Sequence, residues 1–131
     1  MLTRHPIQSS TSLRTAYEDF LARKSMATYA RQMLAILPGV ETLCANLSVW
    51  GLTSHARLVL GLTDNPGSSP VLITPLASEG YMVQYRLVDS GGVSPRFIEQ
   101  AFATTPDEAL ALIAAAIDQS GWGRPPSPSA A

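Results

Sequence analysis

The sequence predicts an α+β fold: an antiparallel meander sheet of four to five strands, with an N-terminal and a C-terminal helix packed on one face. Three observations carry that prediction. A three- and four-residue apolar rhythm runs through the first third of the chain. Short alternating segments separated by turn residues fill the middle. A second helical rhythm with start and stop signals closes the sequence. At 131 residues the chain is long enough for one domain with a real core.

The first helix is expected over residues 12–37. Leu13, Ala16, Tyr17, Phe20, Ala27, Ala30, Leu34 and Leu37 fall on one stripe, with Lys24 interrupting it. The Ser/Thr cluster at 9–12 supplies N-caps, Ser25 marks a place for a break, and Pro38-Gly39 reads as the stop. Residues 1–10 are polar and read as a flexible arm, leaving 11–122 as the domain. The Pro/Ser-rich tail 123–131 reads as disordered and carries one P-x-x-P spacing, Pro125 to Pro128.

The β region begins with "TLCANLSVW", 42–50, whose hairpin partner is "HARLVLGL", 55–62. Leu47 and Val49 share the buried face with Ala56 and Leu58, so buried pairs join odd to even positions. With the turn centred on Leu52-Thr53, Trp50 falls opposite His55, Ser48 opposite Arg57 and Cys44 opposite Gly61. "VLITPL", 71–76, and "YMVQYRLV", 81–88, form a second hairpin around residues 78–80, and 96–103 is a candidate fifth strand. Pro75 marks its strand as an edge or a short one. In the last helix Thr105 is the N-cap, Pro106 the first helical residue and Glu108 the capping-box acid. Gly121 sits where a left-handed residue ends a helix, and Trp122 folds back onto the last turn.

Composition narrows function by exclusion. The chain is 46% hydrophobic and 15% charged with a formal net charge of −1, a balance that recruits neither nucleic acid nor an anionic membrane. No ribonucleoprotein signature, phosphate-cradling glycine loop or nucleophile elbow occurs. Two histidines 50 residues apart and one cysteine give no metal-ligand spacing, and no cofactor is implied. The one thiol, Cys44, lies six residues along the expected strand from Trp50, the residue opposite His55. That is roughly 20 Å at 3.3 Å per residue, whereas a catalytic dyad needs about 3 Å. No catalytic residue is assigned. The N-terminus lacks the apolar core of a signal peptide and no segment has bilayer length, so the expected location is cytoplasmic.

The expected functional surface is the sheet face that no helix covers. Asn46, Ser48, Trp50, His55, Arg57 and Val59 point that way from the first hairpin, and Met82, Gln84 and Arg86 from the second. Trp50 beside His55 and Arg57 would form an aromatic–cation cluster of the kind enriched at interfaces. The interaction residues are therefore Ser48, Trp50, His55, Arg57, Gln84 and Arg86. The low charge content favours a protein partner, most simply a second copy in a homodimer. In size and α–sheet–α outline the chain is similar to small secretion-system chaperones and to toxin-immunity proteins, both non-catalytic binders, although residues 63–70 offer no helix of the kind those chaperones place between strand groups. The alternative reading is an enzyme or small-ligand binder with a pocket between sheet and helices, lined by Tyr17, Tyr81 and Tyr85.

Overall fold

The computed structural model describes residues 1–5, 12–63, 70–86 and 98–122. Strand β1 (Leu2–Arg4) is followed by helices α1 (Leu13–Leu21) and α2 (Ala27–Leu43). Strands β2 (Val49–Ser54), β3 (Arg57–Leu62), β4 (Val71–Pro75), β5 (Tyr81–Arg86) and β6 (Ile98–Ala103) follow, and helix α3 (Pro106–Gln119) is the last element among the described residues. The six strands lie side by side in sequence order. From β2 to β6 the sheet is an antiparallel meander. The α+β class is as expected, and so is the strand at the fifth candidate segment.

The sixth strand is a correction. The polar start of the chain, expected as a loose arm, contributes β1, which pairs in parallel with β2 and makes the sheet mixed. The His5 N–H extends that pair by donating to the Gly51 carbonyl at 2.8 Å. A parallel pair needs a long crossover, and α1 and α2 supply it. Three residues are too few to show an alternation, which is why β1 has no sequence signature. The tail 123–131 and the remainder of the arm lie outside the described residues.

The single first helix is also corrected, to two. Ser12 caps α1, its hydroxyl accepting from the Thr15 N–H at 3.1 Å, and the chain turns through residues 22–26 before α2. Pro38-Gly39 does not stop α2. Pro38 sits inside the helix, because the buried stripe of Ile36, Leu37, Val40 and Cys44 continues across it. Gly39 is a point of close approach: a Cβ there would lie 2.5 Å from Leu110 of α3. Residues 42–48 are consequently helix end and turn rather than strand, and Cys44 is the C-cap residue of α2.

One core unites the layers. Tyr17 of α1, Met33 and Leu37 of α2 and Ile113 of α3 pack on Val49, Leu58, Leu60, Ile73 and Val83 of the sheet. All three helices therefore lie on the same face, as the two expected helices did. At α3 the expected N-cap is realised, the Thr105 hydroxyl accepting from the Glu108 N–H at 3.2 Å, while the expected capping-box acid Glu108 reaches one residue further back and accepts from the Thr104 N–H and hydroxyl, each at 3.2 Å. Gly121 has φ 77 and Trp122 is buried.

Candidate functional site

The hairpin β2–β3 sets the geometry of the candidate surface. Its last pair is Ser54↔Arg57, so the loop is the two residues His55-Ala56, with His55 at φ 55. The expected turn at Leu52-Thr53 is corrected by three residues, and every cross-strand partner moves by six. Trp50 faces Gly61 on β3 and Thr3 on β1, not His55. Its aromatic neighbour is His5, edge to face at 4.9 Å between ring centres. Ser48 precedes β2, and its carbonyl accepts from the Thr63 N–H at 2.9 Å and from the Thr63 hydroxyl at 3.1 Å. The expected Trp50–His55–Arg57 cluster does not form, since four residues of β2, roughly 13 Å, separate Trp50 from the hairpin end.

A shift of six preserves parity, so the face assignments survive. On the face away from the helices, Leu52, Val59, Leu72, Gln84 and Gln100 lie in register across five strands, and Thr74, Met82 and Phe102 form the neighbouring row. Phe102 is 64% exposed, while Leu52, Val59, Leu72 and Met82 are half-buried by one another. Among the sequence-predicted residues, Trp50, Arg57 and Gln84 belong to this face. Arg86 occupies the next position of the same parity on β5, and its side chain lies outside the description. The apolar patch that Leu52 and Leu72 of the first row form with Phe102 of the second was not singled out from sequence. Its signal was available in the apolar residues at even positions of β2, β4 and β6, where solvated positions of a one-sided sheet are polar.

His55 and Arg57 do come together, at the corner of the sheet. With Ser54, Thr74, Pro75 and Tyr29 they line a hollow of about 180 Å³. The β3–β4 ladder closes at Leu58↔Ile73, whereas β4 continues pairing with β5 out to Pro75↔Tyr81. Beyond Ile73, β4 thus has a partner on one side only. Pro75 suits that unpaired position because it has no N–H to leave unsatisfied.

The tyrosines proposed for an alternative pocket between sheet and helices have structural partners. Buried Tyr17 donates to the Ala56 carbonyl at 3.2 Å, Tyr81 to the Gln32 carbonyl at 2.8 Å and Tyr85 to Gln119 Oε1 at 2.7 Å. Burial raises the Tyr17 phenol far above its ordinary range, against the opposing pull of Arg4, and raises Tyr81 as well. The buried Cys44 thiol is pushed up to about 11, the reverse of what an activated nucleophile requires. Among the described residues no group of three His, Cys, Asp or Glu side chains gathers as metal ligands, and no helix is long and apolar enough to cross a membrane. No protein-family model matches the chain, and no curated protein or solved structure matches it either.

Proposed function

We propose that the chain is a non-catalytic interaction protein whose open sheet face binds a second copy of itself. The observation that carries the reading is an apolar patch over two adjacent rows, Leu52, Val59 and Leu72 in one, which ends in Gln84 and Gln100, and Met82 with the exposed Phe102 in the next. A sheet face that met only water would alternate to polar side chains at these positions. Charge favours a like partner over an oppositely charged one. Among the described side chains of this face Arg57 is the only full charge, and it stands at a corner, so two copies related by a two-fold axis bring little like charge together. Six strands about 4.8 Å apart and about 20 Å long give a flat face of roughly 500 Å². Relief from side chains brings that toward the ~800 Å² per partner of a stable interface.

Sedimentation velocity of the wild type and of Phe102→Asp tests the proposal. The wild type is expected to sediment as a dimer at micromolar concentration. Phe102→Asp should weaken association by more than about ten-fold, since it places a charge in an apolar contact. Trp50→Ala/Arg57→Ala should weaken it less, both residues lying at the margin of the apolar row. A wild type that stays monomeric at about 100 μM, an affinity short of any stable dimer, would sink the idea.

A further inference from the structure

We propose that the hollow at the β2–β3 hairpin end is a binding site for a small organic acid, a carboxylate on a compact apolar body. The hollow is a built gap in the sheet. It opens where β3 and β4 stop pairing, and it is closed on the helix side by Met26 and Tyr29, the N-cap residue and third residue of α2. Its walls carry the polar groups that an anion needs. Among the described residues the side chains of Ser54, His55 and Arg57 have no hydrogen-bond or ion-pair partner. The Thr74 hydroxyl is buried and likewise unpartnered. The lining holds a full cation in Arg57 and no carboxylate.

Helix α2 adds to the same sign. It runs for 17 residues, its N-cap Met26 offers no side-chain acceptor, and its first turn carries no acid. The first-turn N–H groups of such a helix, and the positive end of its dipole, are complemented by an anion from outside the helix. The rest of the wall, with Ala56, Pro75, Met26 and the Tyr29 ring, is apolar, which asks for a hydrocarbon body behind the charge. Arg57 can hold a carboxylate through two parallel N–H donors. The volume, about 180 Å³, is worth about six waters at ~30 Å³ each, below the usual size for a drug-sized ligand. An acid of benzoate size fits that space.

The hollow lies at the strand ends, where Arg57 and Thr74 border both it and the open face, so Phe102→Asp, which lies away from the hollow's lining, separates this site from self-association. Titrating the ¹⁵N-labelled protein with benzoate and with benzyl alcohol, followed by amide shifts, tests it. Benzoate should move the amides of residues 27–30 and 54–57 and saturate with a Kd at or below about 1 mM. Benzyl alcohol should bind at least ten-fold more weakly. Arg57→Gln should weaken benzoate about ten-fold, Arg14→Gln on α1 should leave it unchanged, and Phe102→Asp should leave it unchanged too. Arg57 is exposed beside a turn, so the spectrum of the variant also confirms that the fold is retained. Equal binding of acid and alcohol, shifts mapping elsewhere, or an unaffected Arg57→Gln overturns the proposal.

Discussion

The Trp50 indole covers the bare α-carbon of Gly61: a Cβ built on Gly61 would stand 2.1 Å from Cζ2 and 2.4 Å from Cε2 of the ring. Glycine in a strand is ordinarily a weakness of about 0.5–1 kcal/mol relative to alanine. Here it is the seat on which the Trp50 indole lies, with the His5 ring nearly perpendicular to it at 4.9 Å between ring centres. Gly61→Ala is therefore expected to lift the indole off the sheet and to cost about 1–3 kcal/mol, as overpacking does. In a Trp50→Ala background the same substitution should instead stabilise, by about 0.5 kcal/mol, because only the strand preference remains. Urea unfolding of the four proteins checks the change of sign. An equal cost in both backgrounds would mean that the ring makes no such demand.

Gln32 clamps the β4–β5 connection to α2. Its amide donates to the carbonyls of Ala77 and Gly80 and accepts from the Ala77 N–H, each at 2.9 Å. The connection needs help, since Ala77 lies at φ 57, where only glycine is comfortable. Gln32→Leu should cost about 1–3 kcal/mol, because the Ala77 N–H loses its acceptor, while the Ala77 and Gly80 carbonyls keep the Gly80 and Leu76 N–H groups. Gln32→Glu should cost no less, because a carboxylate has no donor for the two carbonyls. Thermal melts of both variants provide the measurement, and a shift within error for Gln32→Glu would refute the clamp.

The contrast between α3 and the β2–β3 hairpin explains what was legible in the sequence. At α3 every signal is local. Thr105, Glu108 and Gly121 act within a few residues of themselves, and the sequence reading and structure agree. The hairpin's register depends on where a turn falls, and the strongest turn cue in that stretch, Gly51, sits within β2. The loop that actually forms, His55-Ala56, carries none of the Asn-Gly or Asp-Gly chemistry of tight hairpins. Parity alone was recoverable, so the faces were legible and the neighbours were not. The hollow was further out of reach, because it depends on the β3–β4 ladder ending early against the start of α2, residues that the sequence places in the interior of one helix over 12–37. The pairing of His5 with Trp50 was hidden for the same reason as β1, a parallel contact across two intervening helices.

Burial of Cys44 makes stability depend on alkaline pH. Its thiol is pushed up from an ordinary 9.0 to about 11 in the fold. Below pH 9 both folded and unfolded chains keep the proton, and the contribution is full. Between pH 9 and 11 the unfolded chain releases a proton that the folded chain retains, so stability falls as pH rises through that window. Tyr17 and Tyr81, also raised by burial, extend the loss above pH 10. Cys44→Ala should remove the first part of the decline and leave the tyrosine part. Urea unfolding at about pH 8 and about pH 9.7 separates them. Identical declines in the variant and the wild type would show that the thiol is not the titrating group. A thiol reagent at pH 8 should modify Cys44 only as fast as the domain opens.

His55 supports the last prediction, which sets stability against binding. A β-carbon in the left-handed region costs about 1–2 kcal/mol, and His55 carries that cost at φ 55 in a two-residue loop. Strain of this kind gathers at sites where a side chain must be presented, and here the imidazole is presented to the hollow beside Arg57. His55→Gly should raise stability by about 0.5–1 kcal/mol, the relief being partly offset by the greater freedom of glycine in the unfolded chain. The same substitution should weaken benzoate several-fold, because a donor is lost from the wall. His55→Asn, which tolerates the left-handed conformation and keeps a donor, should gain stability and retain more of the binding than glycine does. Denaturation midpoints and the benzoate titration, measured on the same three proteins, decide the matter. A glycine variant that binds as well as the wild type would reduce His55 to a turn residue and leave Arg57 to carry the anion alone.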